Sequence, residues 1–446
     1  MKLALFIVAL TTTVPALALV AAWSARLRGW LLAGIIFSTA LGPRAGFTFL
    51  AVQDYRGSDR GLGFTLTDLL AWALAMALII RFPRKLCWAP YNSFWMLAVF
   101  VIGCVAAWNA PMPLWGVFAL WKWLRAYVVF WCVVNALRVG VSRQYVWLGL
   151  VAIGTLATVL ALEQRFVEGI PRVSALFESP NLLAPYLNMV LPVLLVWAMC
   201  DDRMGGVQSG VSIVVVFGML FSVVATLSRM GMACALLTVP TALCIVNLRM
   251  RSRRTLATTA AIMAALLVGG LAAAPTIWLR VETAPSESWQ ARQEHNKAAA
   301  GMARQAPFGV GLNNYSYVLT RQVDRNDKGL ELAGEKRDQG EQPGFCHHIY
   351  WLTAAETGYL GLAVFLVFIS RFLWLAFRHA WGPSFESALL CGCFLGLCAQ
   401  HLTGFFEWVL RSTPILYLYI ILCGLCVALA ESIGQAEKPD HPAVPP

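Results

Sequence analysis

The stretch CHHIYWLTAAETGYLGLAVFL, residues 346–366, decides how the chain is interpreted, because two adjacent histidines stand where a long polar segment becomes apolar. The apolar run continues to about Phe377, long enough to cross a bilayer core of about 30 Å. His347, Tyr350 and Gly358 recur at helical spacing, which predicts one stripe of a helix ending in small residues. The stretch therefore predicts titratable side chains at the water-facing mouth of a membrane-spanning helix.

Composition indicates the same class of protein. The 446 residues are 59% hydrophobic and only 13% charged, which is typical of a polytopic membrane protein. The net charge of +11 comes from clusters between apolar segments, a positive-inside pattern, and nucleic acid is not an expected partner. Eleven of the twelve cysteines lie in or beside apolar segments, so no disulfide framework is predicted. The basic clusters are Arg26/Arg28, Arg81/Arg84/Lys85, Arg138/Arg143, Arg249/Arg251/Arg253/Arg254 and Arg371/Arg378.

Thirteen apolar stretches predict an all-α integral membrane protein of about twelve transmembrane helices. They are 3–22, 29–42, 65–81, 92–108, 116–137, 144–162, 181–200, 211–227, 230–248, 255–279, 350–377, 384–402 and 413–431. If all arginine clusters are cytoplasmic, thirteen spans put the amino terminus outside, whereas twelve require one short segment not to cross. The first stretch is interpreted as a retained span because it lacks a strongly positive region before it.

The same pattern predicts four regions of the chain. Residues 1–279 form transmembrane helices with short loops, and 347–431 form the carboxy-terminal transmembrane helices. Between them, 280–346 is an outer loop with an amphipathic helix over 286–307, and 432–446 is a disordered tail. The outer face also carries 43–64, 109–113, 163–180, the turn at Ser228 and Arg229, and 403–412.

Arginines on that outer face need an explanation, since positive-inside bias depletes them there. Arg229 stands between two long apolar runs, where a cation costs about 2–3 kcal/mol at depth, and snorkelling to the headgroups is the simpler alternative. For Arg172 the simpler alternative is an ordinary loop arginine, and for Arg292 it is a residue on a solvated helix face. Lys122 and Arg125 in LWKWLRAYVVF are interpreted as interfacial anchors among tryptophans.

Four motifs in order resemble the O-antigen ligase and polymerase superfamily. Its pattern H-N-x-(Y/F)-L followed by E-x-G-x-x-G is matched by His347, Tyr350, Glu356, Gly358 and Gly361. The other matches are R-x-x-x-x-F-x-x-P-N-x-x-A at Arg172, Phe177, Pro180, Asn181 and Ala184; S-R-x-x at Ser228-Arg229; and P-x-G-x-G-x-x-x-(F/Y) at Pro307, Gly309, Gly311 and Tyr315. The resemblance covers residues 165–366.

The register of the resemblance separates neighbouring candidates. Counting back from Glu356 puts His347 on the family's functional histidine, while His348 takes the position usually held by Asn. The family's arginine before the PxGxG turn corresponds to Arg292, with Arg304 as the weaker candidate. The tryptophan expected after that arginine is absent, since Trp289 comes before it.

The resemblance implies a GT-C-like membrane glycosyltransferase that moves a glycan from undecaprenyl diphosphate to an acceptor hydroxyl at the periplasmic face of the bacterial inner membrane. His347 would be the catalytic base, and Arg229 and Arg292, assisted by Arg172, would bind the diphosphate. Inverting transfer by single displacement needs no metal or other cofactor when arginines supply the charge. Secondary candidates are His348, Asn181, Tyr350, Glu356, Lys122, Arg125 and Arg304.

The motifs do not determine which molecule accepts the glycan. Lipid A-core is favoured, with O-antigen as the donor glycan and membrane lipids as surroundings, which makes an O-antigen ligase of lipopolysaccharide biosynthesis. An O-antigen polymerase or a protein O-oligosaccharyltransferase would use the same donor chemistry. A lipid-linked glycan flippase or transporter is the alternative from another class, and it would carry charges near the bilayer midplane and internal repeats.

Overall fold

The computed structural model describes residues 7–52, 55, 57–200, 206–249, 252–282, 286–325, 344 and 346–436. Helices account for 79% of it, which confirms the predicted all-α fold of an integral membrane protein. The α-helices in these ranges are α1 (Val14–Trp23), α2 (Ala25–Ser38), α3 (Leu66–Arg81), α4 (Ser93–Trp108), α5 (Pro113–Arg138), α6 (Gln144–Leu162), α7 (Pro180–Cys200), α8 (Gly206–Ala225), α9 (Arg229–Arg249), α10 (Arg253–Glu282), α11 (Ser286–Gln305), α12 (Tyr315–Arg325), α13 (Ile349–His379), α14 (Phe385–Thr403) and α15 (Thr413–Ala436). Each predicted apolar stretch therefore contains a helix.

The length and composition of the helices identify candidate membrane spans. In the described part of the chain, nine helices are long and apolar enough to cross a membrane, beginning with α5. Two shorter apolar helices, Leu10–Trp23 and Ser93–Trp108, fall below that length. At about 1.5 Å per residue, a helix of 16 residues such as α4 spans roughly 24 Å, less than a bilayer core of about 30 Å. By length and composition, nine helices of the described part are thus candidate spans, and the shorter apolar helices fall below that criterion.

Helix α7 lies at the centre of the bundle, since every side chain from Leu182 to Cys200 is buried. It packs against α8, α9 and α14. On α14, Gly392 and Gly396 face the backbone of α7, and a Cβ at Gly396 would lie too close to the carbonyl oxygen of Met189. Such small-residue contacts let membrane helices approach closely. This packing fixes the loop that follows α14 relative to the start of α7.

The helix ends divide the bundle into two faces. The basic face holds the described members of the arginine clusters, Arg251 lying outside the described residues. On this face Arg143 pairs with Glu386 at 2.6 Å and Arg138 pairs with Glu431 at 3.2 Å. The opposite face, called the loop face, holds the beginnings of α7, α9 and α13 and the loop between α14 and α15. The clusters predicted to share one side of the membrane therefore do lie on one face of the bundle.

The loop face carries a β-hairpin that the sequence interpretation does not include. Strands β1 (Gly46–Ala51) and β2 (Gly61–Thr65) pair antiparallel, with the first residue of β1 opposite the last residue of β2. Between the strands, the ring of Tyr55 stacks on Trp115 near the start of α5, with ring centroids 3.9 Å apart. The segment 43–64, predicted only as an outer loop, is thus anchored to the helical bundle.

The polar segment 280–346 contains two helices in its described part. Helix α11 agrees with the amphipathic helix predicted over 286–307 and ends two residues before Pro307. Helix α12 is an addition that the apolar pattern does not predict. At the carboxy terminus, α15 continues to Ala436, past the predicted start of a disordered tail at 432, and the residues after it lie outside the described part.

Candidate active site

The two histidines of the opening stretch take different places at the start of α13. The helix begins at Ile349, and His348 is its N-cap: Nδ1 of His348 accepts a hydrogen bond from the backbone N–H of Trp351 at 3.3 Å. The predicted helical stripe from His347 through Tyr350 is therefore wrong at its first member, because His347 precedes the helix. The side chain of His347 turns instead toward the loop between α14 and α15.

Glu407 in that loop is the centre of the site, and its side chain is only 7% exposed. Its oxygen Oε2 lies 2.9 Å from Nδ1 of His347. Its other oxygen, Oε1, accepts hydrogen bonds from the guanidinium of Arg292 at 2.9 Å and from the amide of Asn181 at 3.0 Å. One buried carboxylate thus joins side chains from three other parts of the chain.

Arg172 reaches the site through Asn181 rather than through Glu407. Its guanidinium donates to Oδ1 of Asn181 at 3.1 Å and to the backbone carbonyl of Thr226, also at 3.1 Å. Thr226 opens the turn that leads into α9. Arg172 therefore connects the central carboxylate, by way of one amide, to the turn that presents Arg229.

Arg229 is the first residue of α9, and its side chain is exposed on the loop face. No residue that the structure describes forms a hydrogen bond or ion pair with it. The preceding Ser228 caps the helix, since its hydroxyl oxygen accepts a hydrogen bond from Gly231 N–H at 3.3 Å. The start of a helix carries a partial positive charge, which adds to that of the guanidinium. This corner can therefore attract an anion.

The contact with Glu407 decides which nitrogen of His347 can take up a proton. An ionised carboxylate only accepts hydrogen bonds, so Nδ1 of His347 carries the hydrogen and Nε2 carries the lone pair. His347 is 35% exposed, which leaves it within reach of a substrate from water. His348 is different, because burial lowers its pKa and its Nδ1 is used by the helix cap. His347, rather than His348, therefore has the geometry that a general base requires.

The PxGxG turn and the ExG part of the opening stretch pack on each other beneath the site. The backbone N–H of Val310 donates to the carbonyl of Ala355 at 2.8 Å. Gly358 has a φ of +72° within α13, and a Cβ there would overlap the carbonyl oxygen of Pro307. Only glycine adopts such a conformation at little cost. These motif residues therefore form a backbone joint between the loop and the helix rather than contacts for a substrate.

Glu356, a secondary candidate from the sequence, belongs to the same joint. Its carboxylate lies 2.7 Å from the guanidinium of Arg411, and both side chains are buried. A buried charge is costly unless it is paired, so each residue needs the other. Arg411 stands four residues after Glu407, and Glu356 thereby ties α13 to the loop that carries the central carboxylate.

Lys122 and Arg125 are buried in ion pairs, and their interpretation as interfacial anchors is wrong. Lys122 donates to the carboxylate of Asp59 at 2.7 Å and to the backbone carbonyl of Arg411 at 2.6 Å. Arg125 pairs with Asp68 at 2.5 Å. Their charges are compensated inside the protein because the hairpin loop and α3 bring acids to them. Through its hydrogen bond to Arg411, Lys122 also holds the loop that carries Glu407.

The remaining sequence candidates stand farther from the centre. Arg304 is exposed at the far end of α11, and its offset from Arg292 corresponds to about 18 Å along a helix. The hydroxyl of Tyr350 donates to the carbonyl oxygen of His401 at 3.1 Å. The fold thus brings Arg292, and not Arg304, into the same cluster as His347.

The acidic and histidine side chains of this face could in principle hold a metal ion. Among the residues that the structure describes, no group of three His, Cys, Asp or Glu side chains is arranged to hold a metal ion. Glu331, Glu335 and Asp338, three of the acidic residues in the polar segment 280–346, lie outside the described residues. The positive charges that could bind an anionic group at this site are the guanidinium groups of Arg229 and Arg292.

Glu407 is the functional candidate that sequence reasoning missed. It lies in the short segment TGFFEWVLRS, residues 403–412, between two apolar spans. Positive-inside bias depletes cations on the outer face, so arginines stand out there, whereas an acid on that face does not. A single carboxylate in so short a loop was the available signal.

One comparison with known proteins bears on this cluster. A model of the family described as O-antigen ligase matches residues 214–366, about a third of the chain. The match contains Arg229, Arg292 and His347, whereas Arg172 and Glu407 lie outside it. No curated protein matches the chain. The match agrees with the motifs and their order, and residues 214–366 are therefore similar to the O-antigen ligase family.

Proposed function

We propose that the protein is an O-antigen ligase, a glycosyltransferase that moves O-antigen polysaccharide from undecaprenyl diphosphate to a sugar hydroxyl of lipid A-core. The family match and the multi-pass helical fold support a membrane enzyme that handles lipid-linked glycans. The observation that carries the proposal is that His347 and Arg292 bind opposite oxygens of the Glu407 carboxylate. A proton acceptor and a cation are thus held side by side.

The reaction is a single displacement at the anomeric carbon of the donor glycan. The acceptor hydroxyl oxygen forms a bond to that carbon while the bond from the carbon to the diphosphate oxygen breaks. The electron pair of the broken bond leaves with the diphosphate, and the hydroxyl proton moves to Nε2 of His347. Attack opposite the leaving group inverts the anomeric configuration.

Glu407 gives His347 its role in this step. Its carboxylate keeps the hydrogen on Nδ1, so that Nε2 can accept a proton, and it stabilises the positive imidazolium that forms. Because the carboxylate is paired with the guanidinium of Arg292, it is also less able to repel the diphosphate than an unpaired one. Glu407 is therefore a positioning residue for the base.

The arginines receive the leaving group. Guanidinium binds phosphate oxygens through paired hydrogen bonds and stays charged at any relevant pH. Arg229 is the main ligand for the diphosphate because it is exposed at a helix start, and Arg292 assists from the side of Glu407. Arg172 positions the turn before Arg229 through its bond to Thr226. With these charges, the transfer requires no metal ion.

The orientation follows from the charge pattern. Arginine clusters on the basic face mark the cytoplasmic side, and the loop face then opens to the periplasm of a bacterial inner membrane. In this orientation the base and the arginines stand at the outer water boundary, where a lipid-anchored donor presents its diphosphate and glycan. Lipid A-core would approach from the same leaflet.

The proposal is tested with purified protein and lipid-linked O-antigen. We would offer three acceptors in parallel, namely lipid A-core, a second lipid-linked glycan and an acceptor protein, and measure which of them gains the glycan. Transfer to lipid A-core is the expected result. Transfer to the second glycan or to the protein would instead identify a polymerase or an oligosaccharyltransferase, and movement of the donor across a vesicle membrane without transfer would identify a flippase.

A further inference from the structure

The aromatic side chains beside His347 have no part in the mechanism above. The ring of Phe405 lies 4.8 Å from that of Tyr350 and 5.5 Å from that of His348, measured between centroids. His348 in turn lies 6.2 Å from the ring of Trp351. Four rings thus form one cluster, called the aromatic cluster, around the beginning of α13.

Phe405 leaves much of this cluster open to the surroundings. Its side chain is 49% exposed, and that of the neighbouring Phe406 is 42% exposed. The backbone under them is fixed, because Phe406 N–H donates to Thr403 at 2.9 Å and the Phe406 carbonyl accepts from Arg292 at 2.9 Å. Exposed apolar rings on a rigid backbone are typical of binding sites.

The aromatic cluster lies on the side of the site where the acceptor, rather than the donor, must bind. Glu407 holds Arg292 and Asn181 on Oε1 and His347 on Oε2, so the carboxylate separates the cationic side of the site from the side of the base. Phe405 contacts His348, the neighbour of the base. The acceptor hydroxyl must lie next to the base, whereas the diphosphate lies with the arginines.

We propose that Phe405 and the aromatic cluster form the subsite for a pyranose ring of the acceptor. A sugar ring has an apolar C–H face, which packs on an aromatic face, and hydroxyl groups around its edge, which can then point to Nε2 of His347. This inference rests on the proposed function, because only a transferase has an acceptor sugar. An aromatic residue anchored among lipid headgroups is the other use of such an exposed ring.

The experiment varies the ring of Phe405 and measures transfer kinetics with two acceptors. One acceptor is lipid A-core, and the other is the core oligosaccharide released from lipid A, which has no acyl chains. Phe405→Ala removes the ring, Phe405→Trp keeps an aromatic face, and Phe405→Leu keeps an apolar side chain if the alanine variant does not accumulate. Phe166→Ala is the control, because Phe166 is 72% exposed and lies just after α6, on the loop face.

Loss of the ring is expected to raise KM for both acceptors on the order of fivefold, as for one stacking contact, with kcat and the KM for the donor retained. Phe405→Trp should stay near wild type, and Phe166→Ala should change neither acceptor. A higher KM for lipid A-core alone would mean that the ring contacts lipid, and a higher KM for the donor would move the ring to the donor side. Unchanged kinetics in Phe405→Ala would overturn the subsite, whereas a wild-type protein inactive on both acceptors would overturn the proposed function itself.

Discussion

Replacing Glu407 by glutamine tests how the site works. The variant Glu407→Gln keeps the shape of the side chain and an oxygen that can accept from Arg292 and Asn181. It loses the negative charge 2.9 Å from Nδ1 of His347. The fold should therefore survive, while the support of the base is lost.

The size of the effect follows from that one contact. A hydrogen bond to a charged group is worth about 1.5–3 kcal/mol, and each 1.36 kcal/mol is a factor of ten in rate. The carboxylate stabilises the imidazolium that forms as the proton is transferred, so kcat should fall about 10- to 150-fold. The glutamine N–H can also donate to Nδ1 and move the imidazole hydrogen to Nε2, which would make the loss larger.

The assay is transfer of labelled glycan by purified protein, with donor and acceptor varied separately. We expect kcat to fall while the KM for the donor changes little, because the arginines remain. Glu386→Gln is the control, since Glu386 also pairs with an arginine, at 2.6 Å, but on the basic face. Wild-type kcat in Glu407→Gln would refute the positioning role, and an equal loss in Glu386→Gln would show that any broken ion pair has this effect.

Three further predictions concern the same assay. Arg229→Ala and Arg292→Ala should each nearly abolish transfer by protein that still accumulates, and lysine should restore it only in part, because ammonium lacks the planar fork; full activity of both lysine variants would contradict paired binding of the diphosphate. Transfer should persist in saturating EDTA, and a loss that magnesium or manganese restores would demote Arg229. His347→Ala should lower the rate by about a hundredfold or more, whereas His348→Asn should be mild because asparagine also caps a helix; the reverse outcome would shift the catalytic assignment by one residue.

Much of the fold could be predicted because it depends on local sequence. A membrane selects helices that are apolar along their length, so hydropathy located the apolar helices that the structure contains, whereas α12 in the polar segment was not predicted. The hairpin between Gly46 and Thr65 was not predicted, because its short strands depend on docking against α5 through Tyr55. Hydropathy did not separate helices of spanning length from the shorter apolar helices, because apolar character does not measure helix length.

The motifs predicted only part of the site. Their order and spacing were enough to select Arg292 over Arg304 and His347 over His348 as the candidates to test. They could not separate residues that face a substrate from residues that hold the backbone. Glu356 stands in the same motif as His347, yet its partner is Arg411, in the loop after α14.

What the sequence by itself determined is the class of protein, the order of its helices and the identity of the cationic and basic side chains, since these depend on composition and near-neighbour spacing. Only the tertiary structure decided their partners. Glu407 meets His347 and Arg292 because glycines let α14 pack closely on α7, which carries the loop 404–412 to the start of α13. Contacts between residues so far apart in the chain depend on how helices pack, and no local pattern records them.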